Sequence, residues 1–118
     1  MERTFFENLE VYKLSEKLAD SLWQIIIEWE NFSKNTVGIQ LIRACDSIGA
    51  NISEGFGRGS KNDNRRFVRI GRGSLFEVKH WLRRAVRRNL LTKKQIMELK
   101  PIIDELSPRL SAYINSLS

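Results

Sequence analysis

The sequence predicts an all-α protein, a single domain built as an antiparallel up-down-up-down four-helix bundle. Three observations carry this. Apolar residues recur every three or four positions in four separate segments. Two segments open on helix-capping patterns. No segment alternates apolar and polar residues as a half-buried strand does.

The first helix is predicted over residues 8–29. Leu14, Leu18, Leu22, Ile25, Ile26 and Trp29 follow helical spacing, with Val11 and Tyr12 one turn earlier. Glu7, Glu10, Lys13, Glu16, Lys17 and Asp20 supply its wet face, and Asn8 is the expected cap. Glu30 to Asn35 reads as a turn.

The second helix is predicted over residues 36–56, with Leu41, Cys45, Ile48 and Ile52 as its stripe, widened by Ile42 and Ala44. The run Gly55-Phe56-Gly57-Arg58-Gly59-Ser60 then stops it, since glycine accepts positive φ without a Cβ clash.

The third helix, residues 61–88, opens on Ser60-Lys61-Asn62-Asp63, a capping pattern. Its expected stripe is Phe67, Ile70, Ser74, Leu75, Val78, Trp81, Leu82, Ala85 and Val86. Gly71 and Gly73 lie inside it, each costing roughly 1 kcal/mol against alanine. Gly71 either admits a neighbouring helix or is, with Gly73, merely tolerated.

The fourth helix, residues 93–117, opens on Thr92-Lys93-Lys94-Gln95, a second capping box. Ile96, Leu99, Ile103, Leu106, Leu110, Tyr113 and Leu117 form a heptad seam. Pro101 and Pro108 predict a kink, or a break at Pro108 into two shorter helices.

At 118 residues the chain suits one domain, and 42% hydrophobic content is enough for one core. The single cysteine, Cys45, excludes an intrachain disulfide and fits a cytoplasmic setting. No apolar run approaches the ~20 residues of a membrane span, and no signal-peptide pattern is seen, so no membrane partner is expected.

The charge is uneven. The whole chain carries +6. Between Arg58 and Arg88 eleven basic residues face only Asp63 and Glu77, a local balance of +9, so the remainder sums to −3. Arg65, Arg69, Arg72, Lys79, Arg83 and Arg87 are spaced by four, three, seven, four and four, which places them along one side of the third helix. Arginine grips phosphate or carboxylate through a planar fork, so such a rod suits a nucleic-acid backbone. The competing readings are a solvated face, or pairing with the acidic remainder of the same chain or of a neighbouring subunit. The excess of charge favours an anionic partner, and nucleic acid over acidic protein.

Few residues suggest chemistry. His80 is the only histidine and has no ligand partner at zinc spacing. Cys45 sits on an apolar stripe, as a buried core thiol does. The glycine run around Arg58 follows no strand and lacks the Gly-Lys-Ser/Thr ending of a phosphate loop, although Arg58 and the amides opening the third helix could hold an anion. Asn51 and Glu54 lie three apart on one side of the second helix and would organise the glycine turn or an inter-subunit contact. Trp23, Trp29 and Trp81 read as core or interface anchors. No catalytic residues, metal or cofactor are assigned, and no enzyme is expected.

The segments Phe6-Glu7-Asn8-Leu9-Glu10-Val11-Tyr12, Gln40 to Ile48, Ala50-Asn51-Ile52-Ser53-Glu54-Gly55-Phe56-Gly57-Arg58 and Gly73-Ser74-Leu75-Phe76-Glu77 resemble the bacterial four-helix bundle family of 23S rRNA intervening sequence proteins. The Asn51–Arg58 run before a basic third helix is the most specific part. Departures are Gly49, where the family commonly has proline, and the additional Gly71. The resemblance implies a four-helix bundle assembled as a ring-shaped homopentamer, with Asn51, Glu54, Gly55 and Arg58 as family-motif positions at a possible interface. It also implies kinship with retroelement accessory bundles that bind nucleic acid and a reverse transcriptase. The combined expectation is a non-enzymatic, RNA-binding homo-oligomer acting through Arg58, Arg65, Arg69, Arg72, Arg83 and Arg87. RNA is expected over DNA. The alternative is an interaction scaffold whose arginines serve assembly or an acidic partner protein.

Overall fold

The computed structural model describes residues 5–118, which form helices α1 (Glu10–Ile26), α2 (Ile39–Gly57), α3 (Lys61–Arg87) and α4 (Lys93–Ser116), with a longer, partly helical connection between α1 and α2 and short turns on either side of α3. The helices neighbour one another around a ring: α1 on α2, α2 on α3, α3 on α4, and α4 back on α1. The short links before and after α3 make it antiparallel to α2 and to α4. The described residues contain no strand.

Each helix starts and stops for a local reason. Before α1 the chain makes a 3₁₀ turn over Phe6–Asn8, so Leu9, with extended backbone, occupies the cap position expected for Asn8. At its far end α1 stops at Ile26, a turn before Trp29, and the chain tightens through Glu28 N–H to Ile25 O and Trp29 N–H to Ile26 O.

The stretch expected as a turn after Glu30 is helical. The Glu30 carboxylate accepts from the amides of Ser33 (2.7 Å) and Phe32 (3.1 Å) and from the Ser33 hydroxyl, which hold its carboxyl below the usual range. One turn (Asn31–Ser33) and a π-helical segment (Lys34–Gly38) follow and run into α2. Glutamate is not a usual cap, so the pattern gave no start signal there. At the other end of α2, Gly55 is not a stop. It is buried inside the helix, and the chain turns instead at Gly59, where φ is +84°.

Ser60 caps α3 as predicted, its Oγ accepting from the Asp63 amide at 3.1 Å. The buried line of α3 is Val68, Gly71, Leu75, Val78 and Ala85. Ile70 and Val86, expected on the stripe, are 47% and 45% exposed, and Phe67, Ser74, Trp81 and Leu82 flank the core half-buried. Close contact with α2 at Gly71 explains this roll. A Cβ there would lie 3.3 Å from the Ile48 carbonyl oxygen. Asn89, at φ 58°, ends α3, with Leu90 N–H returning to Ala85 O.

Both bonds of the Thr92–Gln95 capping box are made. Helix α4 then runs unbroken through Pro101 and Pro108, and no break occurs at Pro108. Both prolines face solvent, as do Met97 and Asp104, whose carbonyls lose their helical donors, so water can satisfy them. The buried line is Leu99, Ile102, Leu106, Leu110 and Ile114, with Ile96, Ile103, Tyr113 and Leu117 at its margins. This replaces the expected heptad seam: spacings of mostly four suit a globular core face, where a strict coiled-coil seam alternates three and four.

One apolar core joins all four helices. Leu18, Leu22, Ile26, Leu41, Ile48, Ile52, Leu75 and Leu106 are fully buried in it. Ser15 is its one buried polar residue among those described, and its Oγ donates to Tyr12 O at 2.7 Å.

The two glycines inside α3 therefore differ. Gly71 stands against the α2 backbone, whereas nothing lies within 4 Å of where a Gly73 Cβ would sit. Gly73→Ala should raise stability by roughly 0.5–1 kcal/mol in urea denaturation. Gly55→Ala should lower it by roughly 1–3 kcal/mol, because the new Cβ would meet the Asn64 carbonyl oxygen at 2.9 Å and Phe67 Cβ at 3.0 Å. Equal effects at the two positions would contradict this reading of the α2–α3 seam.

Candidate nucleic-acid interface

The roll that buries Leu75 and Val78 sets where the cations of α3 go. Arg65, Arg69, Arg72, Lys79, Arg83 and Arg87 line the flank that borders α4, shown by two contacts. Arg65 Nη1 reaches Leu117 O at 3.5 Å, and Lys79 Nζ reaches Ser107 Oγ at 3.3 Å. From Arg65 to Arg87 the stripe is about 33 Å long, at 1.5 Å per residue.

Its members are not equivalent. Arg65 is half-buried and also donates to Asn62 Oδ1 at 3.0 Å. Arg69, Arg83 and Arg87 are exposed and Arg72 half-exposed, and among the described residues none of these four has a carboxylate in salt-bridge range. The ion pairs seen all join residues three or four apart on one helix or its cap. The arginines of α3 are thus not neutralised by the acidic remainder of their own chain, and that reading is set aside for the described residues.

Arg58 stands apart from the stripe. It pairs with Glu54 at 2.7 Å and lies over the Phe67 ring at 4.9 Å, with Arg66 over the same ring at 4.6 Å. The anion site considered at the start of α3 is not assembled. Ser60 Oγ already occupies the Asp63 amide, and Asp63 places a carboxylate in that first turn.

Asn51 and Glu54 do not meet either. Asn51 Nδ2 donates to Ser47 O and Ser47 Oγ, while Glu54 turns to Arg58. Ser74 Oγ lies 2.9 Å from Ser47 Oγ, so Asn51, Ser47 and Ser74 tie α2 to α3. These motif residues are seam and turn residues. Gly55 has the same role: a Cβ there would lie 2.8 Å from Asn64 Oδ1.

Phe76 was missed by the sequence reading. It fills the seven-residue gap between Arg72 and Lys79, on the same flank, 60% exposed, with Lys79 Nζ 4.8 Å from its ring centroid. The gap itself was the signal, since a residue four beyond Arg72 must lie on the stripe. Of the tryptophans, Trp29 and Trp81 pack against the core, but Trp23 is half-exposed.

The thinnest seam of the bundle is α3 on α4. It leaves a groove of about 840 Å³ between the second half of α3 and the first turns of α4. A smaller cleft of about 370 Å³ between α1 and α2 contains Cys45, Asp20 and Asp46. Burial, then Asp20, raises the Asp46 carboxyl, and burial followed by Asp46 and Asp20 pushes the Cys45 thiol up to about 12. Exposed His80 stands edge-on to Trp81 at 4.9 Å. Among the described residues no three histidine, cysteine or acidic side chains gather as a metal site, and no helix is long and apolar enough to cross a membrane.

A model of the 23S rRNA-intervening sequence protein family matches residues 7–112. The chain belongs to that family. Its fold is similar to the crystal structure of a protein of unknown function from the S23 ribosomal protein family of Bacteroides thetaiotaomicron. The two share 24% identity over 88% of this chain and 97% of that one, with a TM-score of 0.76. No curated protein matches the chain. Within this intervening sequence protein fold, the motif around Asn51 and Gly55 secures the α2–α3 seam and leaves the arginine flank of α3 clear of it.

Cys45 supplies a test of the core. Its thiol should resist iodoacetamide at pH 8, where a thiol titrating near 12 is almost wholly protonated, and should react only as the chain unfolds. Rapid labelling of the folded protein would contradict its burial.

Proposed function

We propose that this family member is a non-enzymatic RNA-binding protein of the bacterial cytoplasm that grips phosphates along α3 and works as a homo-oligomer. One observation carries the reading. Arg69, Arg72, Arg83 and Arg87 project from one flank without carboxylate partners among the described residues, while the molecule's other ion pairs are local. Like charges on one helix face repel, so a polyanion bound there gains from both contact and relief. Phosphate contacts of this kind position a nucleic acid without reading its sequence.

The family's description supports RNA over DNA. Phe76 adds a preference for unpaired nucleotides. An exposed ring amid guanidinium groups offers a base a face to stack on, and such stacking is worth roughly 1–3 kcal/mol per base. Arg58 and Arg65, engaged by Glu54 and by Leu117 and Asn62, are secondary contacts in this account. The half-exposed Trp23 and the exposed Ile27 and Phe32 supply apolar surface for assembly, and the family resemblance implies a pentamer.

The test is fluorescence anisotropy on labelled single-stranded and hairpin RNA, with mass followed by light scattering. Arg69→Glu/Arg72→Glu/Arg83→Glu should weaken binding to both by about 100-fold or more at unchanged mass. Phe76→Ala should weaken the single strand by roughly tenfold and the duplex stem hardly at all. If the triple variant binds RNA normally the reading fails, and if wild type does not bind or the variant falls apart into monomers the arginines serve assembly instead.

A further inference from the structure

We propose that the groove between the second half of α3 and the first turns of α4 docks an acidic amphipathic helix of a partner protein. This goes beyond RNA binding and concerns a different surface chemistry. A nucleic-acid backbone needs cations and water, but the floor of this groove is apolar, formed by Leu82, Leu91, Ile96, Leu99 and Ile103. Val86 extends that floor to the surface at 45% exposure. Arg83, Arg84, Arg87 and Lys100 stand on the rim, and no acidic residue lines the groove.

Shape selects the occupant. The groove runs from Lys79 to Arg87 on α3, about 12 Å at 1.5 Å per residue, or two helical turns. An amphipathic helix would lay residues i, i+3, i+4 and i+7 on the apolar floor, the helix-in-groove mode of recognition. The rim dictates the flanks of that helix. Glutamates or aspartates beside the apolar stripe would meet arginine forks that have no carboxylate partner among the described residues.

A second copy of the chain is a poorer fit. At the end of α1 its exposed apolar pair with acidic neighbours is Trp23 and the C-cap residue Ile27, near Asp20 and Glu28. Those two residues span one turn, and the groove offers two.

The experiment uses a labelled peptide with leucines at i, i+3, i+4 and i+7 and glutamates on both flanks. Two controls accompany it: the same composition scrambled, and lysine in place of glutamate. Anisotropy against the full chain at physiological salt should show micromolar binding of the first peptide only. Val86→Asp, and separately Arg83→Glu/Arg87→Glu, should each lose it by tenfold or more with helical circular dichroism retained. Arg69→Glu/Arg72→Glu, remote from the groove, should change it by less than about threefold, since such salt screens charges more than ~8 Å away. RNA binding, read in the same samples, should survive Val86→Asp and fall in Arg83→Glu/Arg87→Glu, whose side chains belong to both the stripe and the groove rim. The proposal is overturned if no peptide binds or if the scrambled peptide binds equally well. It is also overturned if Val86→Asp lowers the mass of the native oligomer, which would place a second copy in the groove.

Discussion

The seam between α2 and α3 sets the rest of the structure. Two glycines, Gly55 and Gly71, let the helices approach where a Cβ would press on neighbouring atoms, and Ser47, Asn51 and Ser74 link them by hydrogen bonds. A helix held this closely cannot roll. Fixing the roll buries Val68, Leu75 and Val78 and turns the opposite flank, with its arginines, outward. Against α4, by contrast, α3 packs far less extensively than against α2. The groove is a consequence of that unequal packing.

Charge follows from this geometry. Exposed ion pairs on one helix contribute little, typically a few tenths of a kcal/mol. The pairs of α4, Lys100–Asp104 and Arg109–Glu105, are of this kind. Among the described residues, the one such pair on α3 is Arg66 with Asp63. Ion pairing within the fold therefore does not account for the other cations of the helix, and binding of an anion is the role we propose for them. The aromatic ring of Phe76 along the phosphate stripe and the apolar floor beside its far end divide α3 into two chemically different surfaces. We propose the first for unpaired nucleotides and the second for a folded peptide, with Arg83 and Arg87 at the border of both.

Most of the fold was legible because the local signals agree with one another. Ser60 and Thr92 cap as their patterns predict, and four stripes make four helices. The errors have physical causes. Glu30 caps through a longer side chain than the usual residues, so the start of the second helical segment was placed late. Apolar spacing on α3 could not distinguish Ile70 and Val86 from the core, since backbone contact at Gly71 decides the roll. Pro101 and Pro108 sit on the solvent side of α4, where their cost is small enough for the helix to continue. At the candidate site the arginine spacing was readable, and so was the flank. The Arg58–Glu54 pair, four residues apart, and the place of Phe76 on the stripe lay within reach of spacing alone, whereas the contact of Arg65 with Leu117 and the apolar groove depend on neighbours distant in sequence.

The central claim is that the free arginines of α3 neutralise RNA phosphates, and the salt dependence of native binding tests it most directly. Each neutralised phosphate contributes about −0.7 to the log–log slope on single strands and about −0.9 on duplexes. Four to six contacts therefore predict a slope of roughly −3 to −4 for a labelled single-stranded RNA. A slope between zero and about −1, or no binding at low salt, would contradict the account.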